Sequence, residues 1–317
     1  MSTDLITTDH QSIDPDISAT LDAIARAIAH GTRSPLLHTP AEEGLDFTDF
    51  SFPSTDGTPL EAWFIPRAVS DRLIICAHAF GFSRAGFPSG IEPWKSSFGV
   101  GNDYDINFVA DYKVLHDHGY NVLAFDFRNF GQSGTANGGV QSAFRFEARD
   151  VRGALDYVRN NRELADMKTG IFARCMGANA TFRAIHDDPA AFSDVRALVA
   201  PLLLSPRLIL EHQLTDAGLG QYVDEVDRRQ QLFTSVTLAD SSPIHWAPSV
   251  AIPTLTYGVR HDHLVEPWDL ESTYDAVAAK DKDMFWIEDS TSRWDGYTWF
   301  QRHPERIIEF FDARLSS

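Results

Sequence analysis

Ile171-Phe-Ala-Arg-Cys175-Met-Gly-Ala-Asn-Ala180 runs from an apolar strand through one small residue into x-Cys-x-Gly, and then into a helix rich in small side chains. Ala173 and Gly177 stand two positions to either side of Cys175, where bulk would collide with neighbouring backbone if the chain bent sharply at the cysteine. This is the layout of a strand-to-helix nucleophile elbow, G-x-S-x-G, with Ala173 at the first glycine and Cys175 at the serine. A helix N-terminus beside the sulfur favours thiolate through the macrodipole. The same pattern also suits a small buried hydrophobe at a strand–helix junction.

Outward from this bend, short apolar runs alternate with helical patterns. FTDFSFP and LEAWFIP flank the turn Ser54-Thr55-Asp56-Gly57 and read as a β-hairpin. RLIICAHA, NVLAFDF, TGIFARC, VRALVAPLLL, IPTLTYGV and DMFWIED follow. Most of them lack alternation, as strands covered on both faces of a parallel sheet do. Helical patterns lie near 105–118, 142–161, 176–187, 267–280 and 303–315. An antiparallel start followed by βα repeats predicts an α/β protein with a mixed, mainly parallel sheet and helices on both faces.

Two segments stand outside that rhythm. Leu21, Ile24, Ala25 and Ile28 fall at i, i+3, i+4 and i+7, the apolar stripe of an amphipathic helix ending at Gly31. This helix either docks on the main domain or forms a partner-binding arm. Residues 206–248 hold a helical insertion too long for a usual connection, and such insertions above strand ends often form lids. The chain therefore divides into an N-terminal extension (1–45), a core (46–205 and 249–317) and a helical lid insertion (206–248).

His78-Ala79-Phe80-Gly81 ends an early strand, and Asp126-Phe-Arg128-Asn-Phe-Gly131-Gln-Ser133 ends the next. With the cysteine elbow, these are three motifs in one order, each at a strand end. Over roughly residues 45–315 the chain resembles the α/β-hydrolase superfamily. The resemblance implies an oxyanion hole made by the N–H groups of Met176 and Phe80, although Ala79 replaces the usual glycine. It also places an orienting carboxylate after the seventh strand, at Asp262 in Gly258-Val-Arg-His-Asp262-His263. A cysteine nucleophile is similar to that of dienelactone hydrolases, which retain a triad histidine.

Here the pattern departs from the family. The loop expected to carry the base reads Asp289-Ser-Thr-Ser292-Arg293-Trp294-Asp295, and no histidine occurs from 264 to 302. Cysteine tolerates this loss better than serine, because a few per cent of it is already thiolate at pH 7. A site poor in histidine suits leaving groups that depart unprotonated, such as thiolates or enolates. A replacement base could come from His263 or His261 beside the acid, with His263 first, from His78 on the oxyanion side, or from another acceptor group; His78 is alternatively a structural histidine bonded to loop backbone. Arg293 reads as a fork for a substrate carboxylate, or else as a solvated surface arginine. Phe82, Phe87, Trp94, Phe98, Tyr104, Trp294, Tyr297 and Trp299 are candidate walls of an apolar pocket, of which Trp94, Trp294 and Tyr297 are expected to touch substrate.

Composition narrows the remaining classes. The chain has 317 residues, 43% hydrophobic and 23% charged, with 27 Lys plus Arg against 45 Asp plus Glu and a net charge of −18. That balance argues against binding nucleic acid or anionic membranes. Two cysteines, Cys76 and Cys175, make neither a disulfide framework nor a cysteine-based zinc site. His261-Asp262-His263 is a weak metal signal, and no cofactor is expected. The amino terminus shows no secretory signal, so a soluble, cytoplasmic protein with a small-molecule substrate is expected, with homo-oligomerisation open. The leading expectation is an acyl-carbon hydrolase or acyl-transfer enzyme acting on a small, partly apolar ester, lactone or thioester. A non-hydrolytic lyase, isomerase or cyclase is the alternative, as is a degenerate ligand-binding relative.

Overall fold

A computed structural model describes residues 13–97 and 104–316. The strands are β1 (Thr48–Pro53), β2 (Pro59–Ile65), β3 (Arg72–Ala77), β4 (Gly86–Phe87), β5 (Ile106–Asn107), β6 (Asn121–Phe125), β7 (Lys168–Ala173), β8 (Val195–Val199), β9 (Thr254–Val259) and β10 (Lys282–Ile287). The helices are α1 (Pro15–Ala29), α2 (Trp94–Ser97), α3 (Val109–Asp117), α4 (Glu147–Asn160), α5 (Met176–Asp187), α6 (Pro206–Asp216), α7 (Val223–Thr234), α8 (Pro267–Ala276), α9 (Arg293–Arg302) and α10 (Glu305–Leu315).

Eight strands form one sheet in the order β1-β2-β6-β3-β7-β8-β9-β10. The β1–β2 hairpin is antiparallel and joins the sheet through an antiparallel β2–β6 pairing; every later pairing is parallel. Strand β3 shows why its sequence is apolar throughout. Ile74 and Cys76 enter the core on one face, while Leu73, Ile75 and Ala77 enter the core on the other. Successive side chains alternate across a strand, so burial on both sides removes any polar position from the pattern.

The end of β6 is held by buried charge. Arg128 reaches Asp150, Asp56 and Ser54 at 2.7, 2.8 and 2.8 Å. Asp126 accepts from the N–H groups of Arg84 (2.6 Å) and Gln132 (2.9 Å). Ser133 bonds the Asp126 carbonyl at 2.6 Å and receives the Glu61 amide at 2.8 Å. The Asp-x-Arg-x-x-Gly-x-Ser segment is therefore a structural knot that fixes the turn after β6.

The carboxyl-terminal part differs from the sequence reading. The stretch treated as a loop before the closing helix is itself α9, capped by the Ser292 side chain on the Trp294 amide. Its aromatic sequence and Gly296 weaken the helical signal, but Trp294, Tyr297 and Phe300 bury against the core and tertiary packing decides the conformation.

Helix α1 starts at Asp14, whose carboxylate accepts from the Asp16 and Ile17 amides at 2.9 and 3.3 Å. It packs on α7, where Leu21 and Ala25 meet Val226 in a small third core that also takes Leu210 and Leu214 of α6. Arg229 of α7 ties this contact by bonding the Ser18 carbonyl at 2.7 Å and Asp22 at 3.0 Å. No helix among the described residues is long and apolar enough to cross a membrane.

Candidate active site

Strand β7 runs into α5 through Cys175, which adopts φ 51° and ψ −112°. A side chain in that region of backbone space is strained by about 1–3 kcal/mol, and surrounding contacts must hold it there. Two bonds do so: the Cys175 N–H reaches the Pro201 carbonyl at 3.0 Å, and the Gly177 N–H reaches the His78 carbonyl at 3.1 Å. A Cβ on Gly177 would lie 2.8 Å from that carbonyl and 2.9 Å from the Ala77 carbonyl, so the position requires glycine. Met176 is the first residue of α5, where helix N–H groups have no partner within the helix.

Cys175 lines a cavity of about 480 Å³. Phe80, Gly81, Phe82, Phe87, Met176 and Trp294 line it beside Cys175, and Leu204, Ile209 and Leu210 close it from the α6 side. Ile24, Ala27 and Ile28 of α1 also form its wall, so the amino-terminal helix belongs to the cavity. The sequence showed the apolar stripe carrying Ile24 and Ile28 but nothing of what it faces. Gln141, another lining residue the sequence did not flag, sits over Met176 with Nε2 3.6 Å from Sδ, and its N–H bonds the Ala29 carbonyl at 2.8 Å.

Around the sulfur, the expected histidine is replaced by α9. Tyr297 of α9 lines the cavity with Cys175, and the two side chains interact electrostatically. Arg293 donates from Nε to the Tyr297 oxygen at 3.3 Å, from Nη1 to Asp262 at 2.7 Å, and from Nη2 to the Leu202 carbonyl. The Arg293 and Asp262 side chains are each only 4% exposed. Burial opposes the guanidinium charge, but Tyr297, Asp262 and Cys175 together hold Arg293 well above its ordinary range. Burial and the neighbouring cysteine push the Tyr297 phenol well up, so it stays protonated.

Several expectations are corrected here. Arg293 is no free carboxylate clamp and no surface residue: three of its nitrogens are already bonded within the chain. His263 turns toward the 291 loop, with Nδ1 3.0 Å from the Thr291 carbonyl, and does not line the cavity. His261 is exposed. His78 is buried with Nδ1 2.7 Å from the Ala79 carbonyl and Nε2 accepting from the Phe127 amide at 3.0 Å, so neither nitrogen is left for the thiol. Burial lowers its pKa and keeps it neutral. Trp94 packs against the main core and Tyr104 bonds Asp295 at 2.8 Å; neither they nor Trp299 line the cavity. Phe98 lies outside the described residues. No group of three or more His, Cys, Asp or Glu side chains among the described residues is arranged to hold a metal.

The second cysteine marks the contrast. Cys76 lies within the core, and burial pushes its thiol up to about 12. Arg174, directly before Cys175 in sequence, points into that same region and pairs with buried Asp111 at 2.5 Å.

Residues 107–215, which include the elbow, match the family described as Serine aminopeptidase, S33. The esterase of Pyrococcus furiosus superposes with a TM-score of 0.66 at 19% identity, over 91% of this chain and 98% of the esterase. The dienelactone hydrolase of Anabaena variabilis gives a TM-score of 0.55 at 17% identity, over 86% and 99% of the two chains. This is the α/β-hydrolase fold. The uncharacterized protein YfhR of Salmonella typhi is 27% identical over 297 residues, covering 88% of this chain and 85% of YfhR. The family match spans the middle of the chain, and the solved structures share its fold. The matched family is named for serine, whereas the elbow of this chain presents Cys175.

Proposed function

We propose that this protein is a cysteine-dependent enzyme of acyl-carbon chemistry, opening a small, neutral, partly apolar ester, lactone or thioester through an acyl-Cys175 intermediate. The observation that carries the reading is the strained elbow at Cys175, which lines the cavity together with Tyr297 and Arg293. Among the described residues that line the cavity, Arg293 is the only charged one, and Asp262 already pairs with it. A charged substrate would have to shed its hydration there without gaining a partner, which selects neutral ligands.

In this reading Cys175 attacks the carbonyl carbon and the Met176 and Phe80 amides hold the developing oxyanion; losing such a donor typically costs ~2.7–4 kcal/mol of transition-state stabilisation. Tyr297 donates to the sulfur, Arg293 positions Tyr297, and Asp262 fixes Arg293. His78 ties the oxyanion turn to neighbouring backbone. Helices α6 and α7 together with α1 act as the lid. Incubation with a panel of neutral acyl esters and thioesters, read by intact mass, tests the assignment. A single acyl adduct that vanishes in Cys175→Ala supports it. Turnover that survives in Cys175→Ala overturns it, as does a cavity that binds these acyl compounds without ever forming an adduct.

A further inference from the structure

The Cys175 elbow shares its cavity with Tyr297 and Arg293. Arg293 has no acceptor atom, burial keeps the Tyr297 phenol protonated, and Met176 begins α5. Among the described residues that line the cavity there is no Asp, Glu, His or Lys. The Asp262 carboxylate lies behind Arg293, with Oδ2 on Nη1 and Oδ1 on the Leu264 amide at 2.9 Å. Such a site suits a developing oxyanion, but the described lining residues include no carboxylate, imidazole or amine to take a proton from an attacking water.

We propose that the acyl group is carried from one thiol to another: the donor is a neutral thioester, the acceptor a second small thiol, and water is the poorer acceptor. The inference rests on the acyl-cysteine reading above. In the first half-reaction the Cys175 thiolate adds to the thioester carbonyl, the carbon–sulfur bond to the donor breaks, and the electron pair leaves with the donor thiolate. In the second, the acceptor thiolate adds to acyl-Cys175 and the Cys175 thiolate departs. Each half exchanges one thiolate for another, and no proton is transferred at the reacting atoms.

Energetics favour the thiol over water at a site of this kind. A free thiol with pKa near 8.5 supplies a few per cent of its anion from solvent at neutral pH, whereas water must be deprotonated as it attacks. General-base assistance is ordinarily worth ~10²–10⁴-fold, and hydrolysis here forgoes it. The unprotonated leaving group matters equally. An alkoxide or amide anion would need a proton that the raised Tyr297 phenol gives up reluctantly, while a thiolate needs none.

The test uses the full chain, the hexanoyl thioester of N-acetylcysteamine as donor and 2-mercaptoethanol as acceptor, with Cys175→Ala measuring the uncatalysed exchange. Acyl-Cys175 is followed by intact mass, and the new thioester and free hexanoate by chromatography. The expected result is a Cys175-dependent adduct that persists in buffer and is discharged by millimolar thiol ~10²-fold or more faster than by water. The exchange rate should follow the thiolate fraction of the acceptor as pH rises. An adduct that hydrolyses at the same rate with and without thiol overturns this inference and leaves the acyl-cysteine reading standing. Absence of any adduct, with exchange equal to that of Cys175→Ala, overturns both.

Discussion

Arg293 Nη1 lies 2.7 Å from Asp262 Oδ2, and both side chains are almost wholly buried. The carboxylate that the family pattern reserves for a histidine here orients a guanidinium. Because arginine does not deprotonate in proteins, this arrangement holds a fixed cation behind Tyr297 and Cys175 in place of a base that cycles. Removing the cation should therefore damage stability as well as chemistry. Arg293→Ala leaves Asp262 buried and unpaired, a change worth roughly 3–5 kcal/mol. Thermal or urea unfolding should show the loss, with Arg293→Lys intermediate because it keeps the charge but not the three-way fork.

Tyr297→Phe separates chemistry from folding. The ring still packs against Phe82, with centroids 4.8 Å apart, and only the hydroxyl between Cys175 and Arg293 is lost. A net hydrogen bond is worth about 0.5–1.5 kcal/mol, so alkylation or acylation of Cys175 should slow by roughly 2- to 13-fold. The unfolding midpoint should move little. An unchanged rate would show that the hydroxyl does not serve the sulfur.

Gly177→Ala should damage the elbow directly. The new Cβ would press on the His78 and Ala77 carbonyls at 2.8 and 2.9 Å, both of them backbone. Overpacking of this kind costs about 1–3 kcal/mol. It would also push the elbow from the oxyanion turn, so the variant should lose Cys175 acylation even at temperatures where it remains folded. Circular dichroism beside the adduct assay separates the two effects.

His78 sets an acid limit on stability. Its folded pKa lies below the ordinary 6.5 because burial opposes the charged form. The unfolded chain therefore binds the proton first. The contribution of this residue is fully present above about pH 6.5 and declines as pH falls through the folded value. Urea midpoints measured from pH 8 downward should decline below pH 6.5, and the imidazole resonance of His78 should titrate below that pH. Titration of that resonance at its ordinary value would contradict the burial argument.

The seam between α1 and α7 has its own acid window. Glu225, bonded to Arg228 and Arg229, is lowered from 4.5 to about 2, the Arg228 hydrogen bond being the largest cause. Its contribution is present above the unfolded pKa and is lost as pH falls through the folded one. Arg229→Ala, which also removes the bonds to Ser18 and Asp22, should make residues 15–29 more susceptible to proteolysis at neutral pH. Since Ile24 and Ile28 line the cavity, binding of the longer acyl donors should weaken as well.

The strands, their mainly parallel arrangement and the elbow were legible because continuous apolar runs and small residues flanking Cys175 follow from local sterics and two-sided burial. Helix α9 was not, since its aromatic residues favour no one secondary structure until the core accepts them. The missing histidine was also readable, because an absent residue type needs no coordinates. Its substitute was misjudged: the segment around Arg293 gives no sign that the side chain turns inward to Asp262, 31 positions earlier, rather than out to solvent.

By itself, the sequence determined the α/β architecture, the position of the cysteine and the absence of the usual base, all of which depend on spacing along the chain. Only the tertiary structure decided that Arg293 and Tyr297 stand where an imidazole was expected, that His78 and His263 are committed to backbone carbonyls, and that α1 walls the cavity. The reason is that burial and hydrogen-bond partnership are properties of residues far apart in sequence, and one face of a helix or one rotamer of an arginine becomes favourable only when those partners are already in place.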